Sequence, residues 1–319
     1  MSMYIVSANK YFDDIDTFGC AVAYAELLRK EGKEAQAVFV GVLNHTVTKL
    51  AYEQNAHYLM AYTPMQEDRF IYVDLSNPVH FGFSPEDITK IVEIYDHHYG
   101  FEDYWKDRLG EGSHIERVGA AATLIWEEFK KRGFAADISG SSANLLALAI
   151  LQNTLNFTSS ETTERDQKAF EELAFHVTME KGWQERYFEE CAKGIREHFE
   201  ETLKNDTKII EHFFEDQTFL FSQLEITEDP ISFFHRHKDR IDAFWSSFQN
   251  NHCLINIADM SSKSSLLYAN DSAWLHKTVQ PLFSQVWQID AMWIHIPIHQ
   301  RKQILAMLQN NKCQNPQSI

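Results

Sequence analysis

Hydrophobic positions in the first hundred residues fall into short blocks separated by polar turns. Tyr4–Ala8 reads as a strand, Phe18–Lys30 as an amphipathic helix ending before Gly32, and Ala35–Val40 as a second strand. Phe70–Val73 makes a third strand, closed by Asp74-Leu75-Ser76-Asn77-Pro78. A fourth, Ile91–Tyr95, is closed by Asp96-His97-His98. Strands alternating with helical segments predict an α/β fold with a parallel sheet covered by helices. The binding crevice of such a sheet lies beyond the carboxyl ends of its strands.

Helical periodicity then takes over, at about Ala120–Arg132, Ala143–Gln152, Thr163–Thr178 and Trp183–Leu203, with no proline between Pro85 and Pro230 to interrupt it. The stretch from Ser142 to Gln152 is apolar nearly all round, the mark of a helix buried on every side. From about Gln217 the pattern restarts. Phe219–Ile226 is a strand, Pro230–Phe248 a helix with proline in its first turn, and Cys253–Ile257, Val286–Ile289 and Met292–Ile296 are further strands. These blocks predict a helix-covered sheet domain over residues 1–195, a helical hinge over 196–216, and a smaller α/β domain over 217–319 that ends in the polar tail Lys312–Ile319.

Charge and composition narrow the function. The chain has 29 Lys plus Arg against 46 Asp plus Glu, a formal charge of −17. That balance repels duplex nucleic acid and means that an anionic substrate needs a local cationic device, metal or Lys/Arg. The apolar stretch at the N-terminus ends at Asn9-Lys10, too short for a signal peptide or a membrane span. Four widely spaced cysteines, Cys20, Cys191, Cys253 and Cys313, form no CxxC pair and point to the reducing cytoplasm. Neither GxGxxG nor GxxxxGK[ST] occurs, so dinucleotide and P-loop fingerprints are absent.

Asp14 and Asp16 follow the first strand, Asp74 the third and His97 the fourth. Carboxylate with imidazole suits Mn²⁺, with Mg²⁺ a close competitor. Any one of these aspartates alone reads better as a loop cap; four such groups at one sheet edge read as a site.

With those residues in view, the sequence resembles a known family. Asp14-Ile15-Asp16-Thr17 before a helix, Val73-Asp74, Asp96-His97-His98, and Ala149-Ile150-Leu151-Gln152-Asn153-Thr154-Leu155-Asn156-Phe157 are similar to the four ordered motifs of the DHH phosphoesterase superfamily. Thr162-Thr163-Glu164-Arg165-Asp166 resembles the stretch that follows in one branch, the manganese-dependent (family II) inorganic pyrophosphatases and their exopolyphosphatase relatives. The resemblance implies a metal-dependent hydrolase of phosphoanhydrides or small phosphoesters. Asp14, Asp16, Asp74 and His97 would be its metal ligands; His98 would contact the electrophilic phosphate, and Asp96 would orient the histidines. Asp206-Thr207-Lys208 and His299-Gln300-Arg301-Lys302-Gln303 resemble the phosphate-binding segments of the smaller, DHHA2-like domain, so Lys208, Arg301 and Lys302 would bind substrate.

Three positions depart from the family pattern. Lys10 stands where pyrophosphatases have a histidine ligand, Asn153 where they have a metal-binding aspartate, and Gln300 where they have a phosphate-binding arginine. With only Asp14, Asp16 and Asp74 as carboxylates, two divalent ions plus a protonated Lys10 would leave two positive charges uncompensated in a partly dry site. One ion plus Lys10 balances. The expectation is a single metal held by Asp16, Asp74 and His97, with the Lys10 ammonium in place of a second ion and Asn153 a weak amide ligand. A one-residue gap would instead put Asn9 at the histidine position, turn Lys10 to solvent and restore a two-ion site.

Other features are set aside. His235-x-His237 diverges on a helix and makes no metal pair. Trp183, Trp245, Trp274, Trp287 and Trp293 read as packing, Cys20 as a small filler beside the site, and Asp13 as a solvated neighbour of the motif. Two rival functions stand. An oligonucleotide or cyclic-dinucleotide phosphodiesterase is disfavoured because no glycine follows Gly194, whereas the relatives of that kind carry a late GGGH segment. A non-catalytic phosphate- or nucleotide-binding regulator is favoured by the three departures and disfavoured by the retained acidic cluster. A homodimer by sheet-edge pairing is left open.

Overall fold

The computed structural model describes residues 3–83, 89–214, 217–248 and 251–314. The chain divides into two compact units, Met1–Glu190 and Cys191–Ile319. In the first, chain order runs β1 (Tyr4–Ser7), β2 (Phe12–Asp13), α1 (Ile15–Lys30), β3 (Ala35–Val38), β4 (Val42–Leu43), α2 (Lys49–Tyr52), β5 (Tyr58–Leu59), β6 (Arg69–Val73) and β7 (Ile91–Asp96). There follow α3 (Glu102–Leu109), β8 (Ser113–Ile115), α4 (Ala121–Lys131), α5 (Gly140–Asn153), α6 (Glu164–Leu173) and α7 (Trp183–Glu197), the last crossing into the second unit.

The main sheet has the order β5-β3-β1-β6-β7-β8 with every pairing parallel, as the alternating pattern predicts. The chain builds outward from β1 to one side and then crosses to β6 on the other. This creates a switch point between β1 and β6, the place where such sheets open a crevice. Helix α5 is buried continuously from Ser142 to Gln152. It packs closely on α1 because residue 19 is glycine: a Cβ there would stand 3.0 Å from the Leu145 carbonyl oxygen.

The second unit contains α8 (Phe199–Asn205), β9 (Thr207–Phe214), β10 (Gln217–Ile226), α9 (Pro230–Trp245), β11 (His252–Asp259), β12 (Ser264–Ala269), α10 (Ser272–Trp274), β13 (Gln288–Ile289), β14 (Trp293–Pro297) and α11 (Arg301–Gln314). Its sheet, β13-β14-β12-β11-β10-β9, is mixed; only β10 and β11 are parallel. Of the expected helical hinge over 196–216, the helical part stops at Asn205. That segment ends α7, forms α8 and then supplies β9, whose adjacent apolar pairs Ile209-Ile210 and Phe213-Phe214 show no two-residue period. Strand β12 and helix α11 also escaped the pattern. Of the polar tail, residues 315–319 lie outside the described residues. No helix among the described residues is long and apolar enough to cross a membrane.

Asp13 is not the solvated neighbour expected. It is fully buried in the short β2–β4 ladder, where Oδ1 accepts from the Asn9 amide at 3.0 Å and Oδ2 has no donor. Burial first, then the Asp14 charge, pushes its carboxyl up to about 8. A carboxyl raised in the fold favours folding at low pH, and that advantage is lost as pH climbs from the ordinary aspartate range toward 8. Asp13→Asn should therefore raise unfolding stability by about 2 kcal/mol at pH 8, the gain vanishing or reversing at pH 4. Urea titrations at the two pH values check this, and a pH-independent difference would contradict it.

Candidate metal centre

The carboxyl edge of the sheet gathers the expected acids and imidazoles, and each is placed by its own local structure. Asp14 is the N-cap of α1: Oδ1 accepts the Thr17 amide at 3.0 Å. The Thr17 hydroxyl in turn donates to Asp74 Oδ2 at 2.7 Å, so one threonine ties the two motifs together. Asp74 leaves the end of β6 with φ of 56°, a left-handed conformation costly for most side chains and tolerated by Asp and Asn. Its amide donates to the Tyr95 carbonyl at 2.7 Å, which fixes it against β7.

Asp96 orients the triplet's backbone and one of its rings. Its Oδ1 accepts from the amides of His97 (2.8 Å) and His98 (3.1 Å) and contacts His98 Nδ1 at 2.8 Å. Burial alone would raise this carboxyl; the His98 charge and hydrogen bond, with His97, outweigh it and hold it below the usual range. The His97 ring is oriented by another group, the Val118 carbonyl, 3.1 Å from Nδ1. A carbonyl only accepts, so His97 Nδ1 carries the proton, and its Nε2 lone pair faces Asp74 Oδ1 at 3.3 Å. That oxygen is buried and receives no hydrogen bond. Two acceptors so close need a proton or a cation between them.

Asp74, His97 and His98 form a candidate ion site, each offering one atom with all three atoms within 4.8 Å of one another. Burial first, then the charges of Asp14 and Asp96, pushes Asp74 up to about 8. Asp16 is raised to about 8 as well, by burial first and then by Asp74 and Asp14. Buried carboxyls raised by one another are the electrostatic setting that a divalent cation reverses. On this donor set the residues fit such an ion.

Asp16 has further duties. Its two oxygens accept from the amides of Ala121 (2.8 Å) and Ala122 (2.9 Å), and the Cys20 thiol lies 3.3 Å from Oδ1. Ala120, the N-cap of α4, has no capping side chain; the helix is capped from elsewhere. Asp166 completes the job, accepting from the amides of Gly119 (2.8 Å) and Ala120 (3.3 Å) and the Thr123 hydroxyl (2.6 Å) while closing the capping box of α6 with Thr163.

Lys10 is exposed, and its ammonium sits 5.0 Å from the centre of the Tyr11 ring. This placement lends no support to the expectation that it stands in for a second ion. Asn153 is the last, partly buried residue of α5. Just after it, Leu155, Asn156 and Phe157 are consecutively left-handed, a strained turn held by Thr154, whose hydroxyl donates to the Ile150 carbonyl (2.6 Å) and accepts from the Phe157 amide (3.1 Å). In the second unit, Lys208 lies exposed on β9, and Arg301 and Lys302 open α11. The two cationic segments do come together there: Arg301 donates through Nη1 to the Asp206 carbonyl and, at 3.4 Å, to that of Phe221. Burial draws this guanidinium below its usual range. Sequence reasoning placed Thr17 in a motif but gave it no role, and it missed Val118 and the double capping of α4; backbone carbonyls and caps supplied from another element leave no motif.

A parallel sheet with an Asp-His-His triplet and aspartates at its carboxyl edge, followed by a separate mixed-sheet unit, has the architecture of the DHH phosphoesterases. Known proteins agree. The chain is 33% identical over 177 residues, 54% of its length, to a probable manganese-dependent inorganic pyrophosphatase of Exiguobacterium sp., of which the match covers 55%. It thus spans about half the length of the curated relatives it matches. In fold it is similar to a putative family II inorganic pyrophosphatase of Methanococcus jannaschii, with TM-score 0.69 and 18% identity over 97% of this chain and 98% of that one. It is also similar to an exopolyphosphatase-related protein of Bacteroides fragilis, with TM-score 0.50 and 12% identity over 98% and 92%. No protein-family model matches the chain. The chain resembles the family II pyrophosphatase and exopolyphosphatase branch in sequence over about half its length and in fold over nearly all of it.

Proposed function

We propose that this chain is a metal-dependent phosphohydrolase acting on a phosphoanhydride or a small phosphoester in the cytoplasm. The observation that carries this reading is the buried Asp74 Oδ1, without a donor and faced by the His97 Nε2 lone pair at 3.3 Å. The sequence likeness to manganese-dependent pyrophosphatases supports it and favours Mn²⁺ over Mg²⁺. Asp74 and His97 would hold the ion with Asp14 and Asp16, and Asn153 would lend its amide oxygen. When bound, a divalent ion supplies Lewis acidity to a phosphoryl oxygen and lowers the pKa of water.

The chain's own groups do the rest. His98, half exposed and fixed through Nδ1 by Asp96, would use its other nitrogen to bind a phosphoryl oxygen or pass a proton there. Lys208, Arg301 and Lys302 supply the second unit's phosphate-binding charge. With Lys10 laid on Tyr11 the charge argument for a single ion lapses, and we expect one or two ions per chain.

Elemental analysis of the purified protein, coupled to phosphate release from pyrophosphate, tripolyphosphate and a dinucleotide, tests the reading. One or two manganese ions per chain and release from the first two compounds are expected. Protein that binds no manganese would refute the metal centre, and release from the dinucleotide alone would refute the substrate class. Asn153→Asp should raise manganese affinity about 10-fold; an unchanged affinity would place residue 153 outside the coordination sphere.

A further inference from the structure

Arg117 and Tyr99 lie beside the metal centre and belong to none of its motifs. Tyr99 directly follows His98 and is 47% exposed; its hydroxyl donates to Glu161 at 3.3 Å. Arg117 follows β8. The residues on either side of it are pinned to the triplet, the Glu116 amide by the Asp96 carbonyl (3.0 Å) and the Val118 carbonyl by the His97 ring. Its guanidinium stands over the Tyr99 ring at 4.9 Å from the centre. Both partners of this contact are therefore held at the backbone level next to His97 and His98.

Charge pairing sets Arg117 apart from much of the surface. Arg132, Arg165, Arg186, Arg196, Arg236 and Arg240 are each tied to a carboxylate. Among the described residues no carboxylate comes within 4.0 Å of the exposed Arg117 guanidinium, although the chain carries a charge of −17. Glu161 is spent on the far end of the tyrosine. A cation placed by an aromatic face keeps its hydrogen-bonding fork open, whereas one placed by a carboxylate does not.

We infer that Arg117, positioned by Tyr99, is a phosphate-recognition residue of the first unit. It takes the phosphate group that is not attacked, and so selects substrates with at least two phosphates over those with one. This rests on the phosphohydrolase reading and adds a specificity residue to it. The ligand chemistry is a phosphoanhydride, from inorganic oligophosphate or a nucleoside di- or triphosphate.

The experiment compares the parent with Arg117→Gln, Arg117→Lys and Tyr99→Leu on pyrophosphate, tripolyphosphate, ADP and phenyl phosphate, by hydrolysis and by calorimetric titration of the manganese-loaded protein. Arg117→Gln should raise KM and Kd for the compounds with two or more phosphates about 10-fold while kcat moves little, with a smaller effect on phenyl phosphate. Arg117→Lys should recover part of the loss, Tyr99→Leu should cause a weaker version of it, and both effects should shrink in high salt. Preference between the inorganic compounds and ADP in the parent identifies the source of the anhydride. Equal losses on all four compounds, or none, would overturn the inference with the phosphohydrolase reading intact. A parent that neither hydrolyses nor binds any of the four would overturn both.

Discussion

Asp74→Asn is expected to abolish manganese binding and turnover together. The substitution is close to isosteric, and asparagine is among the few residues that accept the left-handed φ of 56° found at this position. The Thr17 hydroxyl, 2.7 Å from Oδ2, can bond an amide as readily as a carboxylate. The fold therefore has little to lose. Metal-free, the variant should be at least as stable as the parent near pH 7, because the parent's carboxyl there is buried and raised to about 8. What disappears is the anionic oxygen that faces His97 Nε2. Loss of a partner that merely orients a ligand typically costs about 10- to 100-fold in metal affinity, so loss of the ligand itself should exceed about 100-fold. The rise in melting temperature that manganese gives the parent should vanish with it. If the variant released phosphate as fast as the parent, the assignment of the centre would be wrong.

Asp166→Ala should be the most damaging change away from the centre. This buried carboxylate accepts from the amides of Gly119, Ala120 and Thr163 and from the hydroxyls of Thr123 and Thr163. Truncation strands the buried Gly119 and Ala120 amides that lead into α4 and opens the capping box of α6. Hydrogen bonds to a charged group and the orphaned donors together put the cost at about 3–5 kcal/mol. In a unit of this size that lowers the melting temperature by about 6–20 °C. The consequence should reach the centre, since the Val118 carbonyl that sets the His97 tautomer lies in the loop Asp166 holds. Manganese affinity should drop about 10-fold or more. Thermal unfolding with and without metal, on this variant and on Asp166→Asn, separates the two effects. A variant as stable as the parent would show that Asp16 alone suffices to cap α4.

The elements that carry the centre were legible because each obeys a strong local rule. The strands ending at Val73 and Asp96 are runs of β-branched and aromatic residues closed by polar breaks. Helix α5 announces its burial by lacking a polar face. Asp14 is readable as a cap one residue before an apolar helix. The errors share one cause. Asp13, expected in solvent, is buried because β2 pairs with β4, two-residue strands that no periodicity could reveal. The expectation for Lys10 rests on its distance from Asp14 along the chain, yet the direction of its side chain follows the loop, which lays it on Tyr11. The segment 207–214, which reads from its sequence as part of a helical hinge, is a strand because β10 offers it a partner.

By itself the sequence determined which groups stand at the ends of the parallel strands, since alternating apolar blocks dictate a helix-covered sheet and the polar breaks fall at its carboxyl edge. Tertiary structure decided how those groups share their lone pairs: Asp16 with the amides of α4, His97 with the Val118 carbonyl, Asp74 with Thr17 on one oxygen and no donor on the other. Local pattern reports which face of an element is buried. Hydrogen-bond direction and desolvation depend on partners far away along the chain, and only folding brings those into reach.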